Sequence, residues 1–281
     1  MTKTNFHFLV NALPEVTGLA VDELSAIRSL IEENLDIPSI EAFRYLLYRN
    51  DNKNLIGLLR KRDGILPRTA VYFHTPAVFS FEDLDDLIID AYEGEAQVPE
   101  YLLHFLAEEK KASWTVRQRE NYLLELYYEA GTTYPQEFIR EMFIFKRDLK
   151  NIMLALNARA QGFKITRITV GDYDLPTALA RATQADLGLT GVYEFIPLLA
   201  ELLSAGKLVE LERQLDTLLL GHCATLTRGN IFSLNYVLYY FLELSLSHRW
   251  HILTPEAGER ALEELVDDII RTAVRAESAK P

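Results

Sequence analysis

The sequence predicts an all-α protein, a multi-helix bundle of repeated helical modules with at most a small β-ribbon. Three observations carry that expectation. Apolar residues recur at helical spacing along most of the chain. Residues with capping chemistry stand immediately before several of those segments. The stretch from Asp51 to Arg62 (DNKNLIGLLRKR) also returns from Asp148 to Arg159 (DLKNIMLALNAR), an offset of 148 − 51 = 97 residues. No alternation of helix and strand is present, so a parallel nucleotide-binding sheet is not expected.

At 281 residues the chain reaches the length at which one core begins to divide. Three helical modules are expected, over residues 1–100, 101–190 and 191–281. The first two each carry one copy of the echoed stretch.

The elements follow from local chemistry. Ser80 with Asp83 forms a capping-box pattern before a segment from Phe81 to Tyr92. Thr115 with Gln118 and Thr133 with Gln136 repeat it before Val116 to Ala130 and Tyr134 to Ala160. Gly131 and Gly162 fall where a left-handed C-terminal cap is expected. Val192 to Ala205 and Lys207 to Leu220 read as a helical hairpin turning at Gly206, with Pro197 expected to kink the first helix. Thr254-Pro255 begins an amphipathic helix from Ala257 to Ala276, with Leu262, Leu265, Val266, Ile269 and Ile270 along one face. The segments Thr69 to His74 and Lys164 to Val170 are rich in β-branched and aromatic residues, and read either as short strands or as extended linkers.

Charge and cysteine usage narrow the function classes. The chain has 41 acidic and 29 basic side chains, a formal charge of −12 that repels phosphate backbones and anionic lipid at long range. Neither nucleic acid nor bulk membrane is an expected partner. The short basic runs Arg60-Lys61-Arg62 and Lys110-Lys111 read as helix C-termini, where positive charge is favoured. Cys223 is the single cysteine, which fits a reducing, cytoplasmic compartment. Met1 to Pro14 lacks a basic leader with a clean apolar run, because His7, Asn11 and Pro14 interrupt it; secretion is not expected. The uncharged run from Gly229 to Leu242 falls short of the roughly 20 apolar residues a spanning helix needs.

The motifs of common catalysis are missing. There is no phosphate-binding Gly-rich loop ending in Lys-Ser or Lys-Thr, no Gly-x-Gly-x-x-Gly and no Gly-x-Ser-x-Gly. His248 and His251 stand three apart on a helical segment, but Arg249 and Trp250 between them add no third metal ligand. The carboxylate groups Glu82-Asp83 with Asp85-Asp86, and Glu263-Glu264 with Asp267-Asp268, read as solvated helix faces. No catalytic, cofactor-binding or metal-ligating residue is assigned.

The echoed stretch is the informative part. Asp51 aligns with Asp148, Lys53 with Lys150, Asn54 with Asn151, Leu59 with Leu156 and Arg62 with Arg159. On a helix the Asp and Asn share a face one turn apart, with the Arg further along it. A buried polar pair needs hydrogen-bond partners, since an unsatisfied group costs about 1–3 kcal/mol. Asp51, Asn54, Asp148 and Asn151 are therefore expected to fasten a loop or a helix end, and Arg62 and Arg159 complete the motif. Gly57 inside the first copy costs about 1 kcal/mol against alanine and suggests close packing or a local bend.

The pattern aromatic-x-x-Asp-x-x-Asn followed by Ile or Leu, an apolar turn and Arg resembles a signature that recurs in one central-stalk component of V-type and archaeal-type rotary ATPases. That component is designated C in the archaeal enzymes and d in the eukaryotic ones. A closer resemblance is to a bacterial family, formally of unknown function, encoded among V-type ATPase genes. The opening Asn5 to Glu15 (NFHFLVNALPE) and the stretch Glu137 to Ile152 (EFIREMFIFKRDLKNI) carry it. The resemblance implies an all-helical body of three related modules that joins the rotor shaft to the membrane ion-translocating ring. It implies shaft and ring subunits as partners, a cytoplasmic position held at the membrane through them, and no active site of its own. The third module departs from the pattern: between Tyr240 and Leu253 it has Glu243 and Arg249 but no Asp-x-x-Asn. A free-standing helical scaffold or adaptor, and a helical enzyme with an unfamiliar site, remain the alternatives.

Overall fold

The computed structural model describes residues 6–16, 23–64, 72–163, 169–184, 186–189 and 191–252. Among them are twelve α-helices and no strand. They are α1 His7–Ala12, α2 Glu23–Glu33, α3 Ile37–Arg44, α4 Tyr48–Arg62, α5 Phe81–Ile88 and α6 Glu100–Glu109. There follow α7 Val116–Thr132, α8 Glu137–Ala160, α9 Asp174–Arg181, α10 Ile196–Ser204, α11 Leu208–Thr225 and α12 Leu234–Ile252. The protein is all-α, as its periodicity predicts. The β-ribbon is absent from the described residues: Tyr72 to His74 and Thr169-Val170 run as irregular backbone, and the remainder of both candidate strands lies outside them. The helix expected from Ala257 to Ala276 also lies outside.

Capping sets several starts. Ser80 accepts from the Asp83 N–H at 3.1 Å while Asp83 accepts from the Ser80 N–H at 2.9 Å, closing a full box at the head of α5. Thr115 and Gln118 do the same for α7. The third box does not form. Gln136 is itself the N-cap of α8, accepting from the Ile139 N–H at 2.9 Å, and Thr133 ends α7 with its hydroxyl on the Glu129 carbonyl. A tight α7–α8 turn moves the helix start three residues on.

Two glycine and proline expectations are corrected in the same way. Gly162 is left-handed (φ 72°) and ends α8, but Gly131 lies inside α7, where a Cβ would sit 1.9 Å from the Phe143 ring. Its small size lets α7 and α8 approach, a tertiary requirement rather than a capping one. Pro197 occupies the first turn of α10, where its missing N–H has no helical partner to lose, so it starts the helix instead of bending it. The hairpin of α10 and α11 turns at Gly206 (φ 67°), as expected.

Among the described residues two apolar cores form. The larger gathers α1 to α7, the first half of α8, the end of α11 and α12, around Tyr48, Phe43, Phe105, Phe138 and Phe241. The smaller joins the second half of α8 to α9, α10 and the start of α11 around Ile152, Leu179, Ile196 and Leu199. Each such side chain contributes roughly 1.5–3 kcal/mol on burial. At 24 residues α8 is about 36 Å long at 1.5 Å per residue and is shared by both cores. Phe145 packs against both. The aromatic clusters Tyr127-Tyr128 and Tyr240-Phe241 are buried and belong to the larger core.

A buried cation ties the first motif helix to the rest. Arg119 on α7, 6% exposed, pairs with Asp63 just after α4 and with Glu109 at the end of α6, each at 2.7 Å. The N-terminal turn is fastened to α12 and the turn before it: the Phe6 N–H donates to Phe232 O, and the Tyr240 hydroxyl donates to Pro14 O.

Candidate functional site

The six motif residues form two clasps of related design. Asn54 on α4 is fully buried and holds one residue of the following loop at both ends. Its Oδ1 accepts from the His74 N–H at 2.7 Å, and its Nδ2 donates to His74 O at 3.0 Å. Asn151 on α8, equally buried, does the same to Val170, at 2.8 and 2.9 Å. The side-chain amide acts as a surrogate peptide, satisfying an N–H and a C=O that belong to no helix, part-buried at His74 and buried at Val170. In each case the fastened loop leads into the next short helix, α5 or α9, which packs back on the motif helix.

The aspartates diverge. Asp51, fully buried, accepts from the Val78 N–H at 3.0 Å and the Phe79 N–H at 2.9 Å. Burial pushes its carboxyl up from 3.8 to about 6, against the pull of those two N–H groups and of Arg28. Asp148 is only partly buried and accepts two phenol hydroxyls, Tyr173 and Tyr193, each at 2.7 Å. Burial, and then the bonds to Asp148, raise both phenol pKa values. The first repeat uses its carboxylate to bind backbone; the second uses it to gather side chains from two separate segments.

The arginines diverge too. Arg159 donates to Ala182 O at 2.9 Å and to Gln184 O, satisfying carbonyls beyond the end of α9. Arg62 reaches Asp85 on α5 at 3.3 Å on the surface, an exposed pair worth little. Each motif helix thus acts on the segment that follows it, and Asp148 alone reaches past residue 190, through Tyr193.

Several partners escaped sequence reading. Asn50 donates to Pro76 O at 2.8 Å and Arg28 to Ala77 O at 2.7 Å, so four side chains hold the loop from His74 to Phe79. Arg147 lies 3.7 Å from the Tyr173 ring centre. Asn50 and Arg147 are equivalent under the 97-residue offset, yet their chemistry is unrelated, so the two copies gave no signal there.

Other candidate chemistry is placed as follows. Cys223 is buried, and desolvation pushes its thiol up to about 12, which disfavours a thiolate. His251 contacts the Ser247 carbonyl one turn away at 3.0 Å. Among the described residues no three His, Cys, Asp or Glu side chains converge on a point that could hold a metal ion. No described helix is long and apolar enough to cross a membrane.

The other face of the motif helices borders a cavity of about 780 Å³, between α4, α7, α8, α11 and α12. Lys53 and Lys150, the repeated lysines, line it together with Arg49 and Lys146.

No curated protein matches the chain. A family model described as "Protein of unknown function (DUF2764)" matches residues 3–273, nearly the whole sequence, and the chain belongs to that family.

Proposed function

We propose that this protein is a non-catalytic coupling subunit of a V-type rotary ATPase, seated between the central rotor shaft and the membrane ion-translocating ring. One observation supports the reading above the others: two copies of an Asp/Asn-bearing helix each fasten their own following loop, and the second copy runs through both cores. A part that transmits torque must not let its helices slide, and close packing with buried polar clasps opposes sliding. The resemblance of Asn5 to Glu15 and Glu137 to Ile152 to proteins encoded beside such motors supplies the choice of machine. The partners are then shaft and ring subunits, and attachment to the membrane runs through them.

Affinity capture of the tagged protein from gently solubilised membranes of its native host tests this. Recovery of shaft and ring subunits of the V-type ATPase is the expected result. Recovery of unrelated proteins alone overturns it in favour of a free-standing helical adaptor of the same fold.

A further inference from the structure

The cavity between the motif helices is built from repeated positions. Arg49 and Lys53 lie one turn apart on α4, and Lys146 and Lys150 lie one turn apart on α8. Under the offset Arg49 corresponds to Lys146 (146 − 49 = 97) and Lys53 to Lys150 (150 − 53 = 97), and all four line the same space. Ile56 and Met153, again equivalent, follow one turn later on the same wall. Each motif helix therefore has two working faces: an Asp/Asn face that clasps its loop, and a basic face that meets its counterpart across the cavity.

Charge within this space is unbalanced. Three carboxylates border it, and all three face other cations. Glu120 pairs with Arg60 at 2.6 Å, Asp216 takes Arg249 and the Trp250 indole N–H, and Glu212 lies 3.9 Å from Arg249. Arg49, Lys53, Lys146 and Lys150 make no ion pair among the described residues. Burial, and then the neighbouring Arg49, disfavour the charged forms of Lys53, Lys146 and Lys150, a penalty that an anion in the cavity would relieve. Among the described residues none of the four has a carboxylate partner; Lys146 has only the Phe143 ring face, 5.4 Å from its Nζ. The volume falls in the range of small-molecule sites, roughly 300–1,000 Å³. Leu215, Leu219 and Tyr127 add apolar wall beside Ile56 and Met153.

We propose that this cavity is a binding site for a small multivalent anion carrying at least two phosphoryl groups, held between Arg49–Lys53 of the first repeat and Lys146–Lys150 of the second. Side chains, rather than a glycine-rich loop, supply the positive charge, which is why the sequence carries no phosphate-binding motif. The ligand is either a free oligophosphate or a diphosphate ester whose organic part lies on the apolar wall. The site requires no rotary partner, so it stands apart from the coupling role.

Calorimetric titration of the full chain with inorganic pyrophosphate, at low salt, is the test. Saturable binding that weakens at least about tenfold as salt is raised is expected, because the interaction is between charges. Lys53→Gln and Lys150→Gln should each weaken it by about tenfold, one lost charge contact in a partly buried site, while Lys110→Gln, outside the cavity, should leave it unchanged. Without ligand both cavity variants should melt at or above the wild-type temperature, since like-charge repulsion is relieved; that separates a binding role from a structural one. ADP binding more tightly than pyrophosphate identifies the ester; equal or weaker binding identifies the free oligophosphate. Absence of saturable pyrophosphate binding, or equal weakening by Lys110→Gln, overturns the proposal.

Discussion

Asn54, itself fully buried, grips both backbone groups of half-buried His74, accepting its N–H at 2.7 Å and donating to its carbonyl at 3.0 Å. Replacement by Asp keeps the acceptor but turns the donor into a second oxygen facing a carbonyl. Asn54→Asp is therefore expected to destabilise the fold by about 2–3 kcal/mol, more than the loss of one neutral bond. Asn151→Asp should behave alike at Val170. Urea unfolding of both variants measures this, and a shift below a quarter of that size would show the clasps to be incidental.

Asp51 makes stability depend on pH in an unusual direction. Its folded pKa of about 6 lies above the unperturbed 3.8, so between those values the folded chain holds a proton that the unfolded chain has released. Stability contributed by this group is highest below about pH 4, declines through the window and is flat above about 6, by roughly 3 kcal/mol in all. Asp51→Asn should remove that decline. Thermal melts of wild type and variant across pH 4–7 give the comparison, and parallel curves would contradict it.

Lys146 carries the opposite sign. Desolvation, with Arg49 adding to it, lowers the ammonium from 10.5 to about 7, so the unfolded chain binds more protons between those values and stability rises with pH across them. Lys146→Met keeps the stem's bulk without the charge. It should raise stability at pH 7, by at most roughly 4 kcal/mol, and flatten the rise between about pH 7 and 10.5. A variant less stable than wild type at pH 7 would rule this out.

Gly131 and Phe143 set the spacing of α7 and α8. An added methyl meets the ring at 1.9 Å, so Gly131→Ala must push the ring or the helix aside and should cost about 1–3 kcal/mol despite alanine's better helix propensity. Adding Phe143→Leu to the same chain should recover part of that loss. Denaturant midpoints of the single and double variants decide it; a stabilised Gly131→Ala would refute the contact.

How much of this was legible in the sequence varies residue by residue. The boxes at Ser80 and Thr115, the basic end of α4 and the turn at Gly206 depend on neighbours three or four positions away, and were readable. The clasping role of Asn54 and Asn151 followed from the echo and the cost of burying an amide. Their targets, His74 and Val170, did not, because chain that reaches 20 and 19 positions ahead can be routed in many ways. Pro197 and Gly131 were misjudged for a related reason. A proline or glycine has the same local allowances in several contexts, and only packing selects among them.

From its own residues alone this chain determined an all-helical body, the starts of its capped helices and two Asp/Asn helices offset by 97 positions. The tertiary structure alone decided that one aspartate binds backbone while its twin gathers Tyr173 and Tyr193, that α8 serves two cores, and that Arg49, Lys53, Lys146 and Lys150 line one cavity. The division has one physical cause. Periodicity and capping act within a turn or two of helix, whereas burial and Coulomb interaction act through space between positions that lie far apart along the chain.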